Sequence, residues 1–405
     1  MDVDSKVLVR RKFTEYYTRH IVPAPPETEK REYGFGTLTE KIKTRHKSFR
    51  TEKDLHAFLR REAPYYISYS TAYYDYPSNP MAEKVWRGAD LVFDLDAGME
   101  YFDNKVLEKV KKEALSLLGF LTDDYGINPK DMKVNFSGSK GYHIHVRNEG
   151  LRLLGKEERR EIVDYVSGAI DFKDYLRSSG QKDERITGPM KGDVGWYGRL
   201  YAGLYDYIAN ATPEDLKEIP GIGEKKAKII LEQKDRILAE LEKGSYDRIP
   251  EIVSIEKTST ERSRISKQAD PNTKAVGMNR IEAVKSPLID GIIKHLAIHM
   301  EAEDTDKMVT IDTSRLIRLP DSIHGGSGLL AKTVPDLERF DPLTDALAFG
   351  KNPMKIAIRR KVPVFDLGGE KRGPFEEGMI EVPEYAGMYL LLKLKDDADI
   401  VKTPY

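Results

Sequence analysis

Between Leu91 and Asp96 apolar and acidic positions alternate: Leu91, Phe93 and Leu95 hold one set, and Val92, Asp94 and Asp96 the other. A period of two predicts a β-strand whose alternate side chains leave opposite faces. Asp94 and Asp96 then leave the same face, about 7 Å apart along the strand. Elsewhere the period is helical. Phe13, Tyr16 and Tyr17 predict an amphipathic helix ended by the proline-rich 22–26, and 48–60 predicts a second with Thr51 as its cap. Residues 104–125 place Val106, Val110, Ala114, Leu117, Leu118 and Leu121 on one helical face, and 157–176 and 289–300 read as further helices. Residues 134–146 read as strand, glycine-rich turn, strand. The tail from Asn352 reads as short strands ending in Tyr389-Leu390-Leu391-Leu392.

Composition narrows the class. A chain of 405 residues suits two or three domains, and 40% hydrophobic with 33% charged residues suits a soluble globular protein with a sizeable core. No apolar run is long enough to span a bilayer, and the charged opening has no signal-peptide pattern. The absence of cysteine excludes disulfides and zinc–thiolate sites and fits an intracellular location. A net charge of −1 decides nothing about nucleic acid, because local clustering matters more. Such clustering occurs at 41–50, which carries five basic residues and no acid. The run is either a solvated face or a phosphate-binding edge.

Three further stretches carry candidate chemistry. The paired Asp94 and Asp96 suit a hard divalent cation with phosphate co-ligands, although a strand end with two solvated acids has the same spacing. In 137–145, Gly138 and Gly141 allow a sharp turn, while Ser137, Lys140 and the turn amides suit phosphate oxygens; His143 and His145 leave one face of the second strand. The alternative is a plain hairpin with two polar histidines. In 306–324, acids, Arg315, Arg318 and His324 converge before the Gly-rich 325–328, against the alternative of an ordinary helix and turn. The tyrosines at 65, 66, 69, 73, 74 and 76 read as core edge in preference to a base-stacking platform.

A separate module starts near residue 200. Thr212-Pro213 opens a helix, and 216–231, with Gly221-Ile222-Gly223 at its turn, resembles a helix-hairpin-helix motif. Gly221, Gly223, Lys225 and Lys226 are its candidate DNA contacts through exposed amides and charge, unless the module serves packing alone. The polar 255–285 reads as a loop or linker.

Taken in order, the Asp94-Leu95-Asp96 strand, Ser137-Gly138-Ser139-Lys140-Gly141-Tyr142-His143 and the stretch 306–324 resemble the three motifs of the small, catalytic subunit of archaeal and eukaryotic primases. Arg45 and Ser48-Phe49 resemble the family's Arg-x-x-Ser-Phe context. The resemblance implies an α+β catalytic domain around a mixed sheet, formed by 1–200 and 286–405; the composition change near 200 sets off a mainly helical insertion at 201–285, which holds the helix-hairpin-helix at 212–232. It implies DNA-templated synthesis of short RNA primers for replication, with use of deoxynucleotides as an extension. The alternatives are a stand-alone primase-like repair polymerase and a catalytically decayed DNA-binding protein. Asp94, Asp96 and Asp306 would be the catalytic carboxylates holding two Mg²⁺ or Mn²⁺ ions, with Asp312 in reserve. Arg45, Ser137, Lys140, His143, Arg318 and His324 would grip the nucleoside triphosphate. The implied partners are a primase large subunit and a single-stranded DNA template, in an archaeal cytoplasm and at the nucleoid when active. Three departures stand out: the family's cysteine-based zinc site is missing, Gly326 replaces an expected lysine, and the helix-hairpin-helix is not a general family feature.

Overall fold

The structure, a computed structural model, describes residues 1–178, 185–255, 284–297 and 305–401. The chain divides into two compact units: one takes Met1–Thr122, Gly126–Val163 and His299–Tyr405, the other Asp123–Tyr125 and Asp164–Ile298.

The first unit is α+β. Its strand Leu91–Asp96 forms as the alternation requires, with Leu91, Phe93 and Leu95 buried and Asp94 and Asp96 half-buried. It pairs antiparallel with Gly141–Val146, which sets Asp94 opposite His143 and Asp96 opposite Gly141. Gly141 permits that approach, since a Cβ there would stand 1.7 Å from Leu95 O. Strands Met132–Phe136 and Thr333–Val334 complete this four-stranded sheet, and helix Asn104–Gly119 packs on it. Asp90, just ahead of the strand, is buried against Arg31 Nη2 at 2.9 Å and Tyr73 OH at 2.6 Å. That acid therefore anchors the strand, and the two beyond it face outward from the core.

A second four-stranded sheet runs in the order Leu316–Arg318, Tyr66–Ser70, Tyr33–Gly36, Thr44–Lys47. Every strand pairing among the described residues is antiparallel, which corrects the expected mixed sheet. Strand direction depends on which distant segments meet, and no local pattern records that. The expected terminal strand is also corrected: Tyr389–Leu392 lies in helix Glu384–Leu394, after strands Pro353–Ile358 and Gly378–Pro383. Nearly every side chain of this helix is buried, so it shows no polar face and no helical period. The helix expected over 157–176 ends at Val166, just before Gly168 at φ +65°, and only a short helical turn follows at Phe172–Tyr175. Two other helical expectations hold closely. Helix Val3–Arg19 buries Phe13, Tyr16 and Tyr17, and helix Glu52–Glu62 starts at a Thr51–Asp54 capping box.

The second unit is mainly helical. Helix Gly195–Asn210 buries Trp196, Leu200, Leu204 and Ile208 and packs on helices Lys234–Glu242 and Pro287–Leu296. Arg199 grips Asp124 through two hydrogen bonds of 3.0 Å, which ties Asp123–Tyr125 to this unit. This unit takes in Asp164–Ile298, a wider span than the 201–285 expected of an insertion. Helices Pro213–Glu218 and Glu224–Glu232 flank the turn at 219–223. Thr212 caps the first helix through Asp215, and Leu216, Ile222, Ala227 and Ile230 are buried. Gly221 has φ +88°, and space around Gly223 is open. Most of the expected linker, 256–283, lies outside the described residues. No described helix is long and apolar enough to cross a membrane.

Candidate active site

A cavity of about 640 Å³ lies between the two four-stranded sheets of the first unit. Asp94, Asp96 and His143 reach it from one sheet, Arg45 and Arg318 from the other. Ser137 and Lys140 come from the glycine-rich turn, and His324 from the loop after Leu316–Arg318. Eight of the nine expected catalytic and nucleotide-binding residues thus line one space. The ninth, Asp306, sits on the backbone of helix Thr305–Ile311, which packs along the Asp94 strand; its side chain lies outside the described residues. Asp312 lines the cavity, but its Oδ1 accepts from Ser314 N at 2.9 Å and Ser314 Oγ at 2.7 Å, so that oxygen braces a turn.

His143 Nε2 lies 3.3 Å from Asp94 Oδ1. Burial works to raise the Asp94 carboxyl, but His143, Arg315 and Lys41 outweigh it and hold the group below the usual carboxylate range. Arg318 is half-buried beneath the Tyr66 ring, 4.9 Å from its centroid, and its buried Nη1 has no hydrogen-bond partner among the described residues. Such a donor favours an anion in the cavity. Burial pushes His324 well below the usual imidazole value, and Arg318, Lys41 and His143 push the same way, so the ring is neutral at neutral pH. His324 Nδ1 lies 3.1 Å from Ser327 Oγ, which donates to Gly138 O and so ties the second motif to the third.

Ser137 departs from its expected role in one respect. Its Oγ accepts the amides of Ser139, Lys140 and Gly141 at 3.2–3.3 Å, so it shapes the turn from inside. His145 is fully buried and stacks on Tyr69, away from the cavity; burial keeps it neutral. It is a core histidine.

Sequence reasoning does not single out Tyr66, Lys393 or Lys395 as lining residues, and it reaches Lys41 only as part of the basic run 41–50. No spacing separates Tyr66 from the tyrosines around it, which read as core edge. Lys393 follows Leu392, which would press on a Cβ at Gly328 at 3.2 Å, so the C-terminal helix abuts the Gly-rich loop. Burial and the nearby Lys140 and Arg360 lower the Lys393 ammonium, with Glu100 opposing them.

The donor set fits hard divalent cations. Two carboxylates leave one strand face, and Asp94 stays ionised despite burial, as a metal ligand must. Among the described residues no group of three or more His, Asp or Glu side chains is arranged to hold a metal ion, and a third ligand would come from helix Thr305–Ile311.

The family model for the DNA primase small subunit matches residues 93–335. The chain is 33% identical to the DNA primase small subunit PriS of Methanothrix thermoacetophila, over 97% of this chain and 98% of that one. It is 35% identical to its counterpart in Methanosarcina acetivorans, covering 97% and 96%, and 31% identical to that of Archaeoglobus fulgidus, covering 96% and 97%.

Proposed function

Because the chain belongs to the DNA primase small subunit family, we propose that its cavity joins nucleotides into short RNA primers on a single-stranded DNA template. The observation that supports this reading best is the facing of Asp94 and Asp96 by Arg318, Arg45 and His324 across one space. Carboxylates on one wall and phosphate-seeking donors on the other suit nucleotidyl transfer from a triphosphate.

Asp94, Asp96 and Asp306 hold the metals in this proposal. Asp306 is preferred to Asp312 because Asp312 already braces its own turn. Two Mg²⁺ or Mn²⁺ ions, when bound, would activate the attacking 3′-hydroxyl and neutralise the departing pyrophosphate. Arg318 Nη1, the Arg45 guanidinium and Lys140 bind the phosphates and align them for in-line attack. Neutral His324 contributes a hydrogen bond without adding a charge. Tyr66 packs over the Arg318 guanidinium, and Lys393 supplies a further cation to the cavity, where Gly326 has no side chain to offer. No protein nucleophile is required. Deoxynucleotides would enter the same phosphate site. Gly221, Gly223, Lys225 and Lys226 would hold a DNA phosphate, and a large subunit would complete the enzyme.

The deciding experiment is primer synthesis on single-stranded DNA with Mn²⁺ and labelled ATP or dATP, with and without the large subunit. Synthesis de novo that vanishes in Asp94→Asn/Asp96→Asn supports the reading. Extension of a supplied primer without initiation, even with the large subunit, would favour a repair polymerase. No incorporation with DNA binding intact would mean a decayed enzyme.

A further inference from the structure

Arg45 reaches the cavity from an unpromising place. Its strand, Thr44–Lys47, is the exposed edge of its sheet, with all four residues exposed. The pairing with Tyr33–Gly36 is irregular: Tyr33 opposes Lys47 and Phe35 opposes Thr44, two steps against three. His46 absorbs the extra residue at φ +63°. Such a bulge re-aims the side chains beside it. Here Arg45 lines the cavity, while Thr44 and Lys47 line a groove elsewhere on the unit.

What holds Arg45 there is Glu32, a carboxylate with no solvent exposure. Arg45 Nε donates to Glu32 Oε1 at 2.9 Å and Nη2 to Oε2 at 3.1 Å. The His46 amide donates to Oε1 at 3.1 Å, which pins the bulge to the same carboxylate. Behind it Lys84, 1% exposed, places Nζ 3.2 Å from Oε2 and also donates to Pro77 O. The fork is engaged side-on, through Nε and Nη2. Among the described residues Nη1 makes no hydrogen bond, so that edge of the planar guanidinium is left for a second anion.

We propose that Glu32, backed by Lys84, is a positioning residue that presets Arg45 for the triphosphate of the incoming nucleotide. This rests on the phosphate role given to Arg45 above. An exposed arginine would otherwise lose rotamer freedom on binding; the clamp imposes that loss during folding. A carboxylate serving the fold alone would need only one buried cation. The second, half-exposed partner at the cavity wall is what the positioning role explains.

The test measures equilibrium binding of ATP with Mn²⁺ to the full chain in complex with its large subunit. The variants are Arg45→Ala, Glu32→Gln/Lys84→Met, and the two combined. The paired change avoids leaving a buried ammonium unpaired. Arg45→Ala is expected to weaken binding about tenfold, the scale of one charge-assisted contact. Glu32→Gln/Lys84→Met should approach the same loss, and the combination should be no weaker than Arg45→Ala alone. Wild-type affinity in Glu32→Gln/Lys84→Met, or losses that multiply, would overturn the proposal. Should that variant not fold, Glu32→Asp keeps the charge and shortens the arm; affinity equal to wild type would overturn the proposal as well. Unchanged affinity in Arg45→Ala removes the phosphate role of Arg45 and the proposal with it. Loss of ATP binding in Asp94→Asn would then show the rest of the cavity reading intact.

Discussion

Gly138 and His324 meet backbone to side chain: a Cβ at Gly138 would stand 2.8 Å from His324 Cβ, and Gly138 has φ +80°. Residues 186 positions apart in the sequence are thus packed so closely that only glycine fits between them. Gly138→Ala combines left-handed backbone strain of about 1–2 kcal/mol with displacement of His324. It is expected to lower the melting temperature by several degrees and to weaken nucleotide binding in the same variant. Calorimetry and nucleotide titration check the two effects separately.

The third carboxylate is testable by contrast. Asp306→Asn should reduce primer synthesis by about a hundredfold or more, as expected on removing a ligand of a two-metal site. Asp312→Asn should retain most activity and stability, because the amide Oδ1 still accepts the two Ser314 hydrogen bonds. The reverse pattern would move the metal ligand to Asp312.

Glu32 carries a pH signature. Burial works to raise its carboxyl, but Arg45, the His46 amide and Lys84 outweigh it and hold the group below the usual value. A group depressed in the folded state adds stability that is fully present above its unfolded value, about 4.3, and is lost as pH falls through the folded value. Melting temperature followed downward from pH 6 should therefore fall less steeply below about pH 4 in Glu32→Gln/Lys84→Met than in wild type.

The second unit supplies an ionic test. If the turn after helix Pro213–Glu218 holds DNA phosphate, Lys225→Ala/Lys226→Ala should weaken single-stranded DNA binding. The slope of log affinity on log salt should become shallower by about 1.4 for two lost phosphate contacts. Nucleotide binding should stay at the wild-type value. An unchanged slope would mean that Lys225 and Lys226 touch no phosphate.

Much of the site was legible in the sequence because its signals are local. Strand alternation sets Asp94 and Asp96 on one face whatever surrounds them, and Thr51 and Thr212 announce helix starts because a cap needs only its own next turn. Ser137 to His143 was readable as a turn because glycine spacing limits the backbone. Only the tertiary structure decided the rest. It separated His143, at the cavity, from His145, in the core, and set Tyr66, unlike the other tyrosines of 65–76, on the cavity wall. It made the apolar run at 385–394 a helix, set every described strand pair antiparallel, and brought Glu32, Arg45 and Lys84 to one point. These outcomes depend on which distant surfaces meet, and the free energy of that meeting belongs to pairs of segments, so no single stretch of sequence records it.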